Sequence, residues 1–239
     1  VTGLADTLVM LGLRYGSDAS LAFAAEIMRL VCHTAYRASI ALAKEKGRFP
    51  YFERDKYLEG PFVRALPEDI RAGIAEHGIR NSHLIAIAPT GTISLLAGNV
   101  SSGLEPIFAA SYRRKVLAED GTPEEFTLTD YALALWRRLT GSETGTPEGF
   151  VTAAELPVRA HLDMQAALQP FVDNSISKTI NVPQDCPFSE FRGIYELAYD
   201  KGLKGCTTFR PNPVTGMVLS EEADGAKAPH CCVLEREPD

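Results

Sequence analysis

The chain has 239 residues, 45% of them hydrophobic and 23% charged, a profile that supports one large globular domain or two small ones. Its net charge of -7 is uneven, because from Leu219 onward six acids face two bases and the tail alone carries -4. The near-neutral body offers no broad basic face to a nucleic-acid polymer; no apolar run approaches the roughly 20 residues that cross a bilayer, and no signal peptide opens the chain, so a cytoplasmic protein without membrane contact is expected.

Residues Asp18 to about Lys46 read as one long helix. Leu21, Ala24, Met28, Val31, Ala35, Ala38 and Leu42 recur at helical spacing, Phe23, Ile27 and Leu30 widen the stripe, and burial on several sides is expected. Gly47 and Pro50 end it. A short helix follows from about Pro67 to His77, with the proline suited to the first turn. "HLIAIAP" reads as a buried strand closed by Pro89, then a turn and a short helix from roughly Thr92 to Ala97. "SYRRKVL" alternates like a strand, and "TDYALALWRRLTG" is a helix with Arg137 and Arg138 in its last turn and Gly141 as its stop. A helical stretch from about Thr152 to Val172, a strand in "SISKTINVP", a helix in "SEFRGIYELAYDKG" and strands in "CTTFRP" and "TGMVLS" complete the pattern. Strands alternating with helices imply α/β architecture with parallel strands.

Five cysteines, Cys32, Cys186, Cys206, Cys231 and Cys232, give an odd count without CxxC spacing, so neither a disulfide framework nor a zinc site is indicated. Cys32 reads as a buried small hydrophobe on the long helix. The adjacent Cys231 and Cys232 read as exposed thiols, since vicinal cysteines bridge only with strain. The five histidines are isolated from one another, and none forms a metal-ligand pair. Both ends look cut: the first residue is Val, helical periodicity starts at once, and "CCVLEREPD" stops without a terminal element.

The chemistry concentrates in "IAPTGTISLLAGNVSSGLEP". A strand, a small-residue turn and a helix start bare amides that have no intrahelical partner and share about half a positive charge. Thr90, Gly91, Thr92 and Ser94 suit an anion there: the glycine admits a phosphate oxygen to the backbone and the hydroxyls can donate. The pattern serves equally as a plain capped turn, and it is neither a Walker A loop nor a GxGxxG fingerprint. "NVSSGLEP" adds a second polar loop with Glu105, consistent with a small-molecule pocket or with a solvated connection. Lys178, within a hydroxyl-rich strand, either faces a ligand phosphate or extends its ammonium to solvent.

Taken together, "NSHLIAIAPTGTISLLAGNVSSGLEPIFA", "DNSISKTINVP" and "GLKGCTTFRPNPVTGMVL" resemble, in order and spacing, the catalytic subunit of ribonucleotide reductases, with the adenosylcobalamin-dependent (class II) branch the nearest. "VTGLADTLVMLGLRYGSD" is similar to the family's helix after the active-site region. The resemblance implies a ten-stranded α/β barrel built from two five-stranded parallel halves, with a finger loop through its centre. It implies removal of a ribonucleotide 2′-hydroxyl by thiyl-radical chemistry, with a cysteine pair supplying electrons. Ala88, Pro89, Thr90, Gly91, Thr92, Ile93 and Ser94 then correspond to the segment that holds the substrate phosphates; Glu105 and Lys178 are candidate pocket contacts from residue type and position alone.

Two departures shape that expectation. The family's finger-loop motif, Asn-x-Cys-x-Glu, occurs nowhere in these 239 residues, so no catalytic residue is assigned and the chain alone is expected to be inactive. Thr207 and Thr208 stand where reductases fed by a second subunit carry two relay tyrosines; threonine cannot relay a radical, which points to adenosylcobalamin as the local source. Residues 1–218 are then the second, C-terminal half of the barrel, residues 219–239 an acidic flexible tail, and the first half lies upstream. The implied partners are a ribonucleotide, the missing barrel half and a thioredoxin-type reductant. A half barrel exposing strand edges and an apolar face is expected to self-associate. The contrasting reading is a non-catalytic phosphate-binding or interaction module on a barrel-derived scaffold.

Overall fold

The long helix is the spine of the protein. The structure, a computed structural model, describes residues 1–117, 122–210 and 220–221. After α1 (Leu4–Met10), α2 runs from Asp18 to Lys46. Ser17 starts it, its side chain accepting from the Ser20 amide at 3.2 Å; Gly47, at φ 80°, stops it after Lys44 and Lys46 in the last turn. Ser20, Ala24, Met28, Cys32, Tyr36, Ile40 and Ala43 are buried, a single stripe at near-fourfold spacing. Burial on several sides does not occur: Leu30 is 61% exposed, and Val31 and Leu42 lie on the outer face. The stripe packs on α5 (Glu68–His77) and α8 (Val158–Leu168), so one face of α2 meets the core. Ile70 and Ile74 of α5 have no exposed surface, and truncating either to alanine costs about 2–5 kcal/mol. Between α2 and α5 lie the short α3 (Arg54–Glu59) and α4 (Pro61–Arg64). Pro67 sits one residue before α5 as its cap.

Parallel backbone pairing forms beside this helical layer. Residues 85–87 run alongside 174–177: Ile87 N–H donates to Ser175 O at 3.2 Å, Ser177 N–H donates to Ile87 O at 2.8 Å, and Ile87 and Ile176 form a parallel bridge. Ile85 and Ile87 point inward while Ala86 and Ala88 are exposed, so the "HLIAIAP" segment is buried on one face only. The Asp173 carboxylate accepts from the amides of Leu84 and Ile85, both at 2.8 Å, and fixes where this segment begins.

α6 (Gly91–Leu96) follows the turn, and an antiparallel hairpin, β1 (Ser111–Leu117) and β2 (Pro123–Thr129), departs from the all-parallel expectation. α7 (Tyr131–Thr140) is capped by Asp130, which accepts from the Leu133 amide at 3.1 Å, and ends at Gly141. The helix expected over 152–172 is divided. A single turn at Ala153–Glu155 precedes α8, Pro157 at its cap has no amide to extend a ladder backward, and Pro170 stands two residues after its last residue, Leu168.

β3 (Thr179–Asn181), α9 (Phe188–Asp200) and β4 (Thr207–Phe209) make a parallel strand–helix–strand unit, with Thr179, Ile180 and Asn181 opposite Thr207, Thr208 and Phe209. β5 (Ser220–Glu221) pairs antiparallel with β1. The strand expected in "TGMVLS" lies outside the described residues except for Ser220, as do Cys231 and Cys232. The described strands are few and do not close into a barrel.

Candidate functional site

The turn after Ile87 is built around two unusual backbone positions. Thr90 has φ 51°, a left-handed conformation that costs a β-branched residue about 1–3 kcal/mol. What holds it is its Oγ1, which accepts from the Gly103 amide at 2.8 Å. Gly103, at φ 53°, passes so close that a Cβ there would lie 2.9 Å from Ala88 O, so only glycine lets the second loop reach the first. Ser94 completes the seam: it is buried, its hydroxyl donates to Gly91 O at 2.8 Å, and Ser102 Oγ lies 3.1 Å away. Asn99 N–H and Val100 N–H both donate to Ser94 O, turning the chain sharply out of α6.

These bonds leave the amides of Gly91, Thr92 and Ile93 without an acceptor among the described residues, since the helix ladder begins one turn later. Gly91 is exposed, and beyond its own stretch of chain no heavy atom lies within 4 Å of where its Cβ would be. The turn opens onto a cavity of about 440 Å³, the scale of a small-molecule site. Pro89, Gly91, Ser94 and Glu105 line it; Ala88, Thr90, Thr92, Ile93 and Lys178 do not. The reasons are local: Thr90 turns its hydroxyl to Gly103, Ile93 is 59% exposed, and Lys178 lies behind Glu105.

Lys178 does not extend to solvent. Its side chain has no exposed surface, and its three ammonium protons meet three acceptors: Glu105 Oε2 at 2.5 Å, His161 Nδ1 at 2.9 Å and the Thr179 carbonyl. Burial pushes the Lys178 pKa down and Glu105 opposes it; because every N–H has a partner, the geometry is that of the charged form. Glu105 Oε1 accepts from the Thr179 amide at 2.6 Å, so the carboxylate is pinned at the cavity wall. His161 is fully buried; burial first and the Lys178 charge second lower its pKa to about 3, against a smaller opposing effect of the Ala153 backbone. It is therefore neutral, Nδ1 accepting and Nε2 carrying the hydrogen, although Nε2 makes no well-formed hydrogen bond among the described residues.

The opposite wall comes from residues that sequence reasoning did not single out. Asn99, at φ 64°, accepts from Tyr112 OH at 2.6 Å and donates to Thr129 O at 2.9 Å, tying the hairpin to the loop after α6. Buried Asp6 accepts from the amides of Ser101 (2.6 Å) and Ala132 (3.0 Å). Asp130 lies nearby on the cavity wall; burial, then the Asp6 charge, raises its pKa to about 7. Left-handed Asn99, directly after a glycine, was the one signal in the sequence for this wall.

The arrangement offers unpaired amides, hydroxyls and one cationic side chain, Arg114, at one cavity, groups that suit a phosphorylated polyol. No group of three His, Cys, Asp or Glu side chains among the described residues could hold a metal ion.

Residues 1–209 match the family described as "Ribonucleotide reductase, barrel domain". The vitamin B12-dependent ribonucleoside-diphosphate reductase of Mycobacterium tuberculosis (strain CDC 1551 / Oshkosh) is 33% identical over 239 residues, covering 93% of this chain and 32% of that protein. Its counterpart in Thermoplasma acidophilum is also 33% identical, over 96% of this chain and 30% of the relative. The vitamin B12-dependent ribonucleotide reductase of Streptomyces clavuligerus is 27% identical over 91% of this chain. The chain thus spans about a third of the length of these relatives. With the match running from its first residue through β4, the chain belongs to the ribonucleotide reductase barrel-domain family.

Proposed function

We propose that this chain is the second half of the catalytic barrel of an adenosylcobalamin-dependent ribonucleotide reductase and that the Thr90–Ser94 turn holds the substrate's phosphates. The carrying observation is the row of unpaired amides at the start of α6, led by an open Gly91 that lines a cavity of small-molecule size. The names of the relatives support the activity, those from Mycobacterium tuberculosis, Thermoplasma acidophilum and Streptomyces clavuligerus being vitamin B12-dependent reductases. Parallel β3 and β4, joined by α9, suit one half of such a barrel.

In this reading the chain supplies the nucleotide side of the reaction. The Asn-x-Cys-x-Glu motif is absent from the sequence, so the hydrogen-abstracting cysteine and the first barrel half belong to residues beyond these 239, and this chain alone makes no deoxynucleotide. Adenosylcobalamin, when bound, supplies a carbon-centred radical by homolysis of its cobalt–carbon bond. Thr207 and Thr208, which cannot be oxidised as a relay, are consistent with a radical made close by. A thioredoxin-type reductant, assembly with further copies and a cytoplasmic location belong to the same proposal; among the described residues no helix is long and apolar enough to cross a membrane.

The test is Gly91→Asp in the full-length reductase. A Cβ fits there, and a carboxylate at a helix start stabilises the helix by about 0.3–1 kcal/mol while repelling phosphate. Thermal stability should hold or rise while KM for a ribonucleoside diphosphate rises about 10-fold or more. An unchanged KM would remove the turn from the site. Deoxynucleotide production by the isolated 239 residues would contradict the missing-cysteine argument.

A further inference from the structure

The charge balance of the cavity is incomplete without one more residue. A nucleoside diphosphate brings about three negative charges, whereas the start of α6 offers about half a positive one. The wall adds the Glu105 carboxylate, which is already matched by Lys178, whose protons are all engaged behind it. A polyanion entering this cavity needs a cation that is not spoken for.

Arg114 is that cation. It is the one Lys or Arg side chain lining the cavity among the described residues, and it makes no hydrogen bond or ion pair with any of them. Its orientation follows from strand geometry. Side chains alternate along β1, so Tyr112 and Arg114 share the face turned to the cavity while Arg113 takes the other. That face is fixed relative to the turn, because Tyr112 OH donates to Asn99 at 2.6 Å, and Asn99 in turn bonds through its amide to Ser94 O and through its side chain to Thr129 O. The chain from α6 to β1 is therefore a rigid bracket with amides at one end and a guanidinium at the other. A planar guanidinium with five donors suits two oxygens of one phosphate, and leaving it half-buried without an anion is consistent with a ligand completing the pair.

We infer that Arg114 is a second anchor for the phosphate chain of the nucleotide, the side chain by which this cavity selects nucleoside di- and triphosphates over nucleosides. The inference rests on the Thr90–Ser94 turn holding phosphate, and the experiment separates the two. In the full-length reductase, Arg114→Gln, Arg114→Lys and Gly91→Asp are compared for KM and kcat with a ribonucleoside diphosphate and for inhibition by inorganic pyrophosphate. Arg114→Gln should raise KM and the pyrophosphate inhibition constant together by about 10- to 30-fold, with kcat changed less than about threefold, and Arg114→Lys should recover part of the loss. Its thermal midpoint should match the wild type, because no described partner is lost. If Arg114→Gln leaves both constants unchanged while Gly91→Asp raises them, Arg114 is not an anchor and the turn still is. If neither substitution moves them, the turn itself does not hold phosphate and the inference falls with it. A fall in kcat and thermal midpoint at constant KM would make Arg114 a structural residue and overturn the inference.

Discussion

The ammonium of Lys178 lies 2.5 Å from the carboxylate of Glu105, 73 residues earlier in the chain, and is wholly buried. Because that ammonium also meets His161 and the Thr179 carbonyl, removing it leaves three acceptors short of a donor. Lys178→Met should therefore cost about 3–5 kcal/mol in urea denaturation, the range for breaking one side of a buried pair. Glu105→Gln should cost a similar amount, because it leaves the wholly buried Lys178 ammonium without its counter-charge and offers one amide oxygen where the carboxylate accepts from both Lys178 and the Thr179 amide. The double variant Lys178→Met/Glu105→Gln should be more stable than Lys178→Met alone, a coupling of about 1–3 kcal/mol. Simple additivity would show that the pair contributes nothing as a pair.

The pH dependence of stability contains two opposing contributions. Asp130 has its folded pKa raised from 3.8 to about 7, so it holds a proton in the folded state that the unfolded chain releases. Its contribution is present below pH 4 and is lost as pH rises toward 7. His161 is the reverse: its folded pKa is lowered from 6.5 to about 3, so its contribution is present above pH 6.5 and is lost as pH falls toward 3. Each is worth on the order of a few kcal/mol, at about 1.4 kcal/mol per unit, so they largely cancel across pH 4–6.5. Asp130→Asn keeps an oxygen for the Leu133 amide and removes one of the two. It should be more stable than the wild type at pH 8, equal to it near pH 4, and should lose stability on acidification through pH 6.5 where the wild type stays flat. Thermal midpoints from pH 4 to 8 give the answer, and parallel curves for the two proteins would refute the Asp130 argument.

Local signals were legible wherever one residue type enforces one geometry. Helical spacing from Asp18 and the stop at Gly47 delimited α2, and Gly141 marked a real end of α7. What periodicity could not tell was how much of the α2 circumference the fold covers, because Leu30 and Met28 look equally apolar in a string while only one faces α5 and α8. β2 was missed because "PEEFTLT" carries two glutamates, and cross-strand pairing with β1, which no local pattern encodes, makes it a strand. Within the site, Gly91 and Ser94 could be picked out from residue type, whereas Lys178 allowed only a ligand or solvent reading. Its actual partners, Glu105 and His161, are brought to it by parallel pairing and by α8.

The left-handed Thr90 makes a separable prediction about the turn. Thr90→Ala removes the acceptor for the Gly103 amide and keeps the unfavourable φ, whereas Thr90→Gly removes the acceptor and relieves the φ. Thr90→Gly should therefore be more stable than Thr90→Ala by about 1 kcal/mol, with both below the wild type. Gly103→Ala should be the worst of the three, because its Cβ would sit 2.9 Å from Ala88 O. Equal stability for the two Thr90 variants in denaturant titrations would show that the observed φ carries no strain.

The outer face of α9 predicts how this chain behaves on its own. Phe188, Tyr195 and Tyr199 are spaced by seven and four residues, which places them along one stripe of the helix, and they are 76%, 42% and 83% exposed. Three aromatic rings in one line are a larger apolar patch than scattered surface residues make, while Ile194 and Ala198 on the adjoining face are buried in the core with Ile180 and Val182. The 239-residue chain in isolation should therefore self-associate, with a light-scattering mass above 26.0 kDa that falls on dilution. Phe188→Ser with Tyr199→Ser, which touches no buried position, should shift the mass toward the monomer without lowering the thermal midpoint. A wild-type chain that stays monomeric at high concentration would show that this stripe is not sticky enough to drive association.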